Sequence, residues 1–306
     1  MLPVPVITNT TKRNRKLMDL PGDQQFDEPL RFQSETNLVE SATTPLADIV
    51  SETHRIIEYA ERQGVTLRLF GGMAIRSHSP SATHRNLERR YADIDFMGFK
   101  KQAGTIKKLF PKLGYTPREI FNAMAGDKRL IFNDLENERR VDIFLDIFNM
   151  AHKFDLRERL SADKPTIPLA DLLATKLQVV QITEKEYKDI IALILDHKIG
   201  DTDAPETINA NHLAQLSRDD WGIYKTFNVN INNILTALTD YKLPPNDQET
   251  VWQRLEEIQS RIENTPKTLR WKIRAKIGEK KQWYELVEQD KEIVNSQLPQ
   301  DTKTNN

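Results

Sequence analysis

Asp93 and Asp95 stand two residues apart in the run Ala92-Asp93-Ile94-Asp95-Phe96-Met97. Charge alternating with apolar bulk predicts a strand. A period of two then puts both carboxylates on one face and Ile94 and Phe96 on the other. Like charges this close repel, so they need a cation or solvent to be stable. Hard oxygen ligands grouped in this way suit Mg²⁺, which keeps waters and bridges to substrate phosphates. Asp142, set between Val141 and Ile143 on a further predicted strand, supplies a third carboxylate. If the strands are neighbours, the three acids converge. Asp146 shares the face of Asp142 by the same period, four residues along. An Asp-x-Asp pair alone also fits an edge strand carrying solvated acids.

Upstream, Phe70-Gly71-Gly72 ends a predicted strand and opens a helix at Met73-Ala74-Ile75. Glycines there let backbone N–H groups approach a phosphate, and a helix N-terminus adds a favourable partial charge. Arg76 follows about one turn into the helix, where its guanidinium can pair with a phosphate oxygen. Downstream, Leu169-Ala170-Asp171-Leu172-Leu173-Ala174-Thr175-Lys176-Leu177 is an amphipathic helix with Lys176 beside its apolar stripe. That lysine either snorkels to water or enters the cleft to meet a phosphate.

The order Gly71-Gly72, Asp93-Ile94-Asp95, Val141-Asp142-Ile143 resembles the polymerase-β-like nucleotidyltransferases. The resemblance implies a glycine turn holding a nucleoside triphosphate and two Mg²⁺ ions on Asp93 and Asp95, with Asp142 completing the site. It implies transfer of a nucleoside monophosphate from the NTP to an acceptor hydroxyl, with release of pyrophosphate. The helix carrying Lys176, followed by Tyr187-Lys188-Asp189-Ile190-Ile191, is similar to the abortive-infection AbiEii-like branch, over about residues 66–196. In that branch the helical lysine contacts nucleotide and the later aspartate belongs to the site. These roles pass to Lys176 and Asp189. Read from the residues alone, Lys188-Asp189 is equally an exposed pair on an ordinary helix. The segment between Gly72 and Asp93 is longer than in minimal members. Its loop, Ser77 to Arg90, carries His78, His84, Arg85, Arg89 and Arg90, and either shapes an acceptor pocket or is a surface excursion. The histidines are expected at the surface unless the loop lines that pocket.

Two other readings stay open. An Asp-x-Asp glycosyltransferase would use the acidic pair on a nucleotide sugar, without needing the glycine turn or third acid. A catalytically silent nucleotide-binding module, such as one half of a toxin–antitoxin pair, would bind NTP without turnover. The acceptor (tRNA, protein or small molecule), the base and an antitoxin partner are not legible in the residues.

Composition excludes other chemistries. The 306 residues contain no cysteine, which removes disulfides, thiolate metal sites and cysteine nucleophiles. Lys plus Arg total 44 against 45 Asp plus Glu, so no bulk basic field draws the chain to a polyanion. The six histidines form no helical His-x-x-x-His, and neither a Gly-Lys-Ser/Thr phosphate loop nor Gly-x-Gly-x-x-Gly occurs. No apolar run approaches a membrane span, and Met1–Thr10 lacks the pattern of a secretory signal, so a soluble, cytoplasmic protein without a membrane partner is expected.

The fold that must position these residues reads as α/β (α+β). A small twisted mixed sheet with flanking helices, of nucleotidyltransferase type, fills residues 42–165, and an all-helical domain fills 166–294. Residues 1–41, including the basic run Asn9–Lys16, and 295–306 are expected to be tails. A first helix is predicted from Thr44-Pro45 to Gly64. Strands follow at 65–70, 92–97, 129–132 and 141–147, with a helix at 101–113 and a hairpin turn at 135–138. Helices are predicted at about 168–181, 184–198, 209–216, 219–241, 248–264 and 267–288. The last is rich in Lys and Arg with Trp271 and Trp283 interleaved. It suits either an RNA backbone or a solvated helix whose Leu269, Ile273 and Ile277 face the core.

Overall fold

The computed structural model describes residues 43–84 and 86–286. The expected tails and Arg85 lie outside the described residues. Helix α1 (Ile49–Arg62) starts at Asp48, whose side chain accepts from the Ser51 N–H at 2.8 Å. Asp48 therefore caps the helix, not Thr44 as predicted, because the apolar period begins only at Ile49. Strand β1 (Leu67–Phe70) runs directly into α2 (Gly71–His78). Next come β2 (Asp93–Gly98), α3 (Ala103–Lys112), β3 (Thr116–Pro117), α4 (Glu119–Met124), β4 (Arg129–Asp134) and β5 (Arg139–Leu145). A small hairpin of β6 (Ile147–Asn149) and β7 (Lys153–Asp155) closes this half.

The five-stranded sheet has the order β1-β2-β5-β4-β3, with β2 and β5 parallel and the other pairs antiparallel. One face is apolar throughout. Leu67, Leu69, Ile94, Phe96, Leu130, Phe132, Val141, Ile143 and Leu145 are all buried there, as are Ile56 and Ala60 of α1 and Ile106 and Phe110 of α3. Phe110 stacks on Phe132 with ring centres 4.4 Å apart. Strict alternation leaves the opposite face free for charge.

The second half comprises α5 (Leu169–Leu177), α6 (Glu184–Asp196), α7 (Ala210–Asp219), α8 (Trp221–Ala237), α9 (Pro245–Asn264) and α10 (Leu269–Ile277). It also contains two three-residue strands, β8 (Lys198–Gly200) and β9 (Thr207–Asn209), which pair in parallel. They correct the expectation of helices alone: three residues give too short a pattern to register as a strand. A single apolar core joins the sheet to α5–α9. Residues 165–167 lie along the free edge of β1, where Leu69 N–H donates to the Pro165 carbonyl and Ile167 N–H to the Leu69 carbonyl. This edge contact aims α5 at the sheet's charged face.

Helix α10 overturns one expectation. Leu269, Ile273 and Ile277 are 73%, 56% and 42% exposed and do not face the core. The helix is held through the opposite side. Trp271 meets Tyr224 edge-on at 5.0 Å, and Arg274 stacks over Trp221 at 4.6 Å while donating to the Gly278 and Lys281 carbonyls. No helix among the described residues is long and apolar enough to cross a membrane.

Candidate functional site

The register draws the acids together. Phe70, Asp95, Asp142 and Ile131 form one row across β1, β2, β5 and β4, and Asp93 pairs with Arg140 two rows away, on the same face. Asp93, Asp95 and Asp142 thus share the charged face, as the period of two predicts. Asp93 is exposed, Asp95 half-buried and Asp142 buried. Asp146 does not join them. β5 ends at Leu145, and Asp146 takes a positive φ of 62° and turns its carboxylate to the Lys100 N–H at 2.9 Å. The left-handed residue breaks the alternation that would have kept it in line.

Asp142 carries two guanidinium groups. Arg129 Nη2 lies 2.8 Å from its Oδ1, and Arg140 Nε 2.8 Å from its Oδ2. Arg140 also reaches Asp93, with Nη2 3.7 Å from Oδ2. Asp95 makes no hydrogen bond or ion pair among the described residues. Burial first, and then the charges of Asp142 and Asp93, push its carboxyl up to about 7, against the pull of Lys176 and Arg129. The site therefore holds one carboxylate with no cation bonded directly to it among the described residues.

The two glycines are fixed by close approach. Gly71 has φ +68°, and a Cβ there would stand 2.5 Å from Asp95 Oδ2. At Gly72 a Cβ would collide with Arg89 Nη2. The first glycine lets the acid pack on the strand–helix turn, and the second admits a guanidinium.

The sequence allows the loop of Arg89 either to shape an acceptor pocket or to be a surface excursion. Arg89 turns inward, donating from Nε and Nη2 to Asp189 at 2.7 and 2.8 Å and stacking on the Tyr91 ring at 4.0 Å. Lys176 does not snorkel to water: its Nζ lies 2.7 Å from Asp189 Oδ2. Asp189, 1% exposed, is not a surface residue but the shared anchor of both cations. Two turns further along α6, Asp196 accepts from the N–H and hydroxyl of Ser81, so α6 grips the loop at two points. Arg76 lies 5.5 Å from the Tyr91 ring, and its Nε is buried without a hydrogen-bond partner. His84 is exposed as expected. His78 is not, since its Nε2 meets Thr166 Oγ1 at 2.8 Å and its ring packs edge-on against buried His197.

By donor chemistry, carboxylate oxygens on one face suit Mg²⁺, and Asp142 Oδ2 is a buried oxygen without a hydrogen-bond partner. As arranged, no three His, Cys, Asp or Glu side chains among the described residues are close enough to cage an ion. Arg140 stands between Asp93 and Asp142. Arg129, Arg140 and Arg89 are the site residues that sequence reasoning did not assign. Arg140 carried a signal, two residues before Asp142 on the same strand face, whereas Arg129 and Arg89 depend on register and loop path. No family model matches the chain, and no curated protein matches it.

Proposed function

We propose that the protein is a Mg²⁺-dependent nucleotidyltransferase, built on a sheet of nucleotidyltransferase type and related to the AbiEii-like branch. The observation that carries this reading is the row that sets Asp95 beside Asp142, with Gly71 packed against the Asp95 carboxylate. Asp93, Asp95 and Asp142 would hold the metal, which supplies charge neutralisation on the phosphates and a more acidic acceptor hydroxyl.

Arg89 packs against Gly72, Lys176 shares the Asp189 carboxylate with it, and Arg76 lies by the Tyr91 ring on which Arg89 stacks; these cations would suit a triphosphate. The acceptor oxygen forms a bond to the α-phosphorus, and the bond to the α,β-bridging oxygen breaks. The hydroxyl proton passes to a carboxylate or water, and pyrophosphate leaves with its charge spread over the basic groups. A catalytically silent nucleotide-binding module is the second reading, favoured by the two arginines already paired with Asp142.

Incubation with each α-labelled NTP, Mg²⁺ and cell lysate, followed by separation of RNA, protein and small molecules, decides between them. Label in one fraction, absent with EDTA, supports transfer and identifies the acceptor class. Mg²⁺-dependent NTP binding without labelled product in any fraction supports the silent module.

A further inference from the structure

Arg140 bridges two of the three acids, Asp93 and Asp142. It precedes Asp142 by two residues on β5 and so shares its face, and the parallel register seats it beside Asp93. Its contact with Asp142 Oδ2 is close, at 2.8 Å, but neither atom is aligned for a hydrogen bond. The attraction is therefore charge on charge, without directional hold. Asp142 has no need of it for neutrality, since Arg129 already donates from Nε to Oδ1 at 2.9 Å. One carboxylate carries two guanidiniums while Asp95, its register partner, has none.

The Arg140 side chain remains 38% exposed, which leaves room for it to swing away.

We propose that Arg140 is a built-in counter-cation of the acid cluster, which a divalent ion must displace, so that this residue sets the metal affinity of the site. The proposal rests on the metal-site reading given above. A guanidinium brings one positive charge and a fixed planar fork, whereas a divalent ion brings two charges and draws carboxylates inward. Arg140 would thus keep the acids apart until an ion, alone or with nucleotide phosphates, replaces it. Once displaced, its donors are free for those phosphates.

Titration of Mn²⁺ into the full chain at about pH 8, with the free ion followed by electron paramagnetic resonance, tests this directly. Arg140→Gln is expected to bind Mn²⁺ about 5- to 10-fold more tightly than wild type, the scale of one removed like charge at a partly solvated site. Arg140→Lys, which keeps the charge and guards against loss of fold, should fall between the two. Asp95→Asn should lose the site. Binding that is lost in Asp95→Asn yet unchanged or weakened in Arg140→Gln overturns the role of Arg140 and leaves the metal site standing. Equal binding by wild type and Asp95→Asn overturns both.

Discussion

The Asp95 carboxylate lies against the α-carbon of Gly71, with Oδ2 2.5 Å from the point a Cβ would occupy. Gly71 also holds φ +68°, a conformation other residues adopt only under strain. Gly71→Ala is therefore expected to cost about 1–3 kcal/mol of stability and to displace the acid. Urea unfolding measures the first effect, and Mn²⁺ affinity the second. A variant as stable as wild type with unchanged affinity would show that the turn tolerates a side chain.

Asp189 is buried and holds both Arg89 and Lys176. Removing its charge leaves two neighbouring cations without their shared carboxylate. Asp189→Asn should cost about 2–4 kcal/mol, since a broken buried pair leaves its partner's charge uncompensated. Arg89→Ala should cost less, because Lys176 still serves the carboxylate, but should weaken NTP binding. Denaturant midpoints and equilibrium NTP titration check the pair. An order of stability reversed between the two variants counts against Asp189 as the shared anchor.

Much of the charged face was legible because alternation is a local property. Asp93-Ile94-Asp95 and Val141-Asp142-Ile143 declare which side chains share a face, and β2 and β5 keep that promise. The convergence of the two strands was conditional on register, which local pattern does not encode. Asp146 failed for a local reason, one left-handed residue at the end of β5. The link between Lys176 and Asp189 was legible as two helices but not as a contact, since an ion pair between helices depends on tertiary packing. The apolar stripe of α10 misled because it has helical spacing, and nothing in 269–277 says which side the body offers to it.

The pH dependence of Asp95 has a definite sign. An ordinary aspartate titrates near 3.9, whereas burial and then Asp142 and Asp93 push this one up to about 7. Between those values the folded chain keeps a proton that the unfolded chain has lost. This group's contribution to stability therefore falls as pH rises through that window, and the penalty is complete above about pH 7. Asp95→Asn should be more stable than wild type at about pH 8 in EDTA, by about 1–2 kcal/mol after allowing for water at a half-buried site. The gain should vanish near pH 4. Thermal unfolding at both values measures it, and a variant less stable at about pH 8 would refute the uncompensated charge.

Helix α10 is attached by Trp271 and Arg274, with Ile273 facing outward. Ile273→Lys should change stability by less than about 0.5 kcal/mol, whereas Trp271→Ala should cost about 1–3 kcal/mol. Denaturant titration compares them. A larger loss at Ile273 than at Trp271 would place the apolar stripe against the body after all.

The most direct measurement of the central claim is single-turnover transfer of labelled nucleoside monophosphate by wild type and Asp95→Asn, at about pH 8 with saturating Mg²⁺ and the acceptor found in lysate. The account predicts about a 10³-fold or greater loss in the variant, with its circular dichroism unchanged. Turnover at the wild-type rate by Asp95→Asn would contradict it.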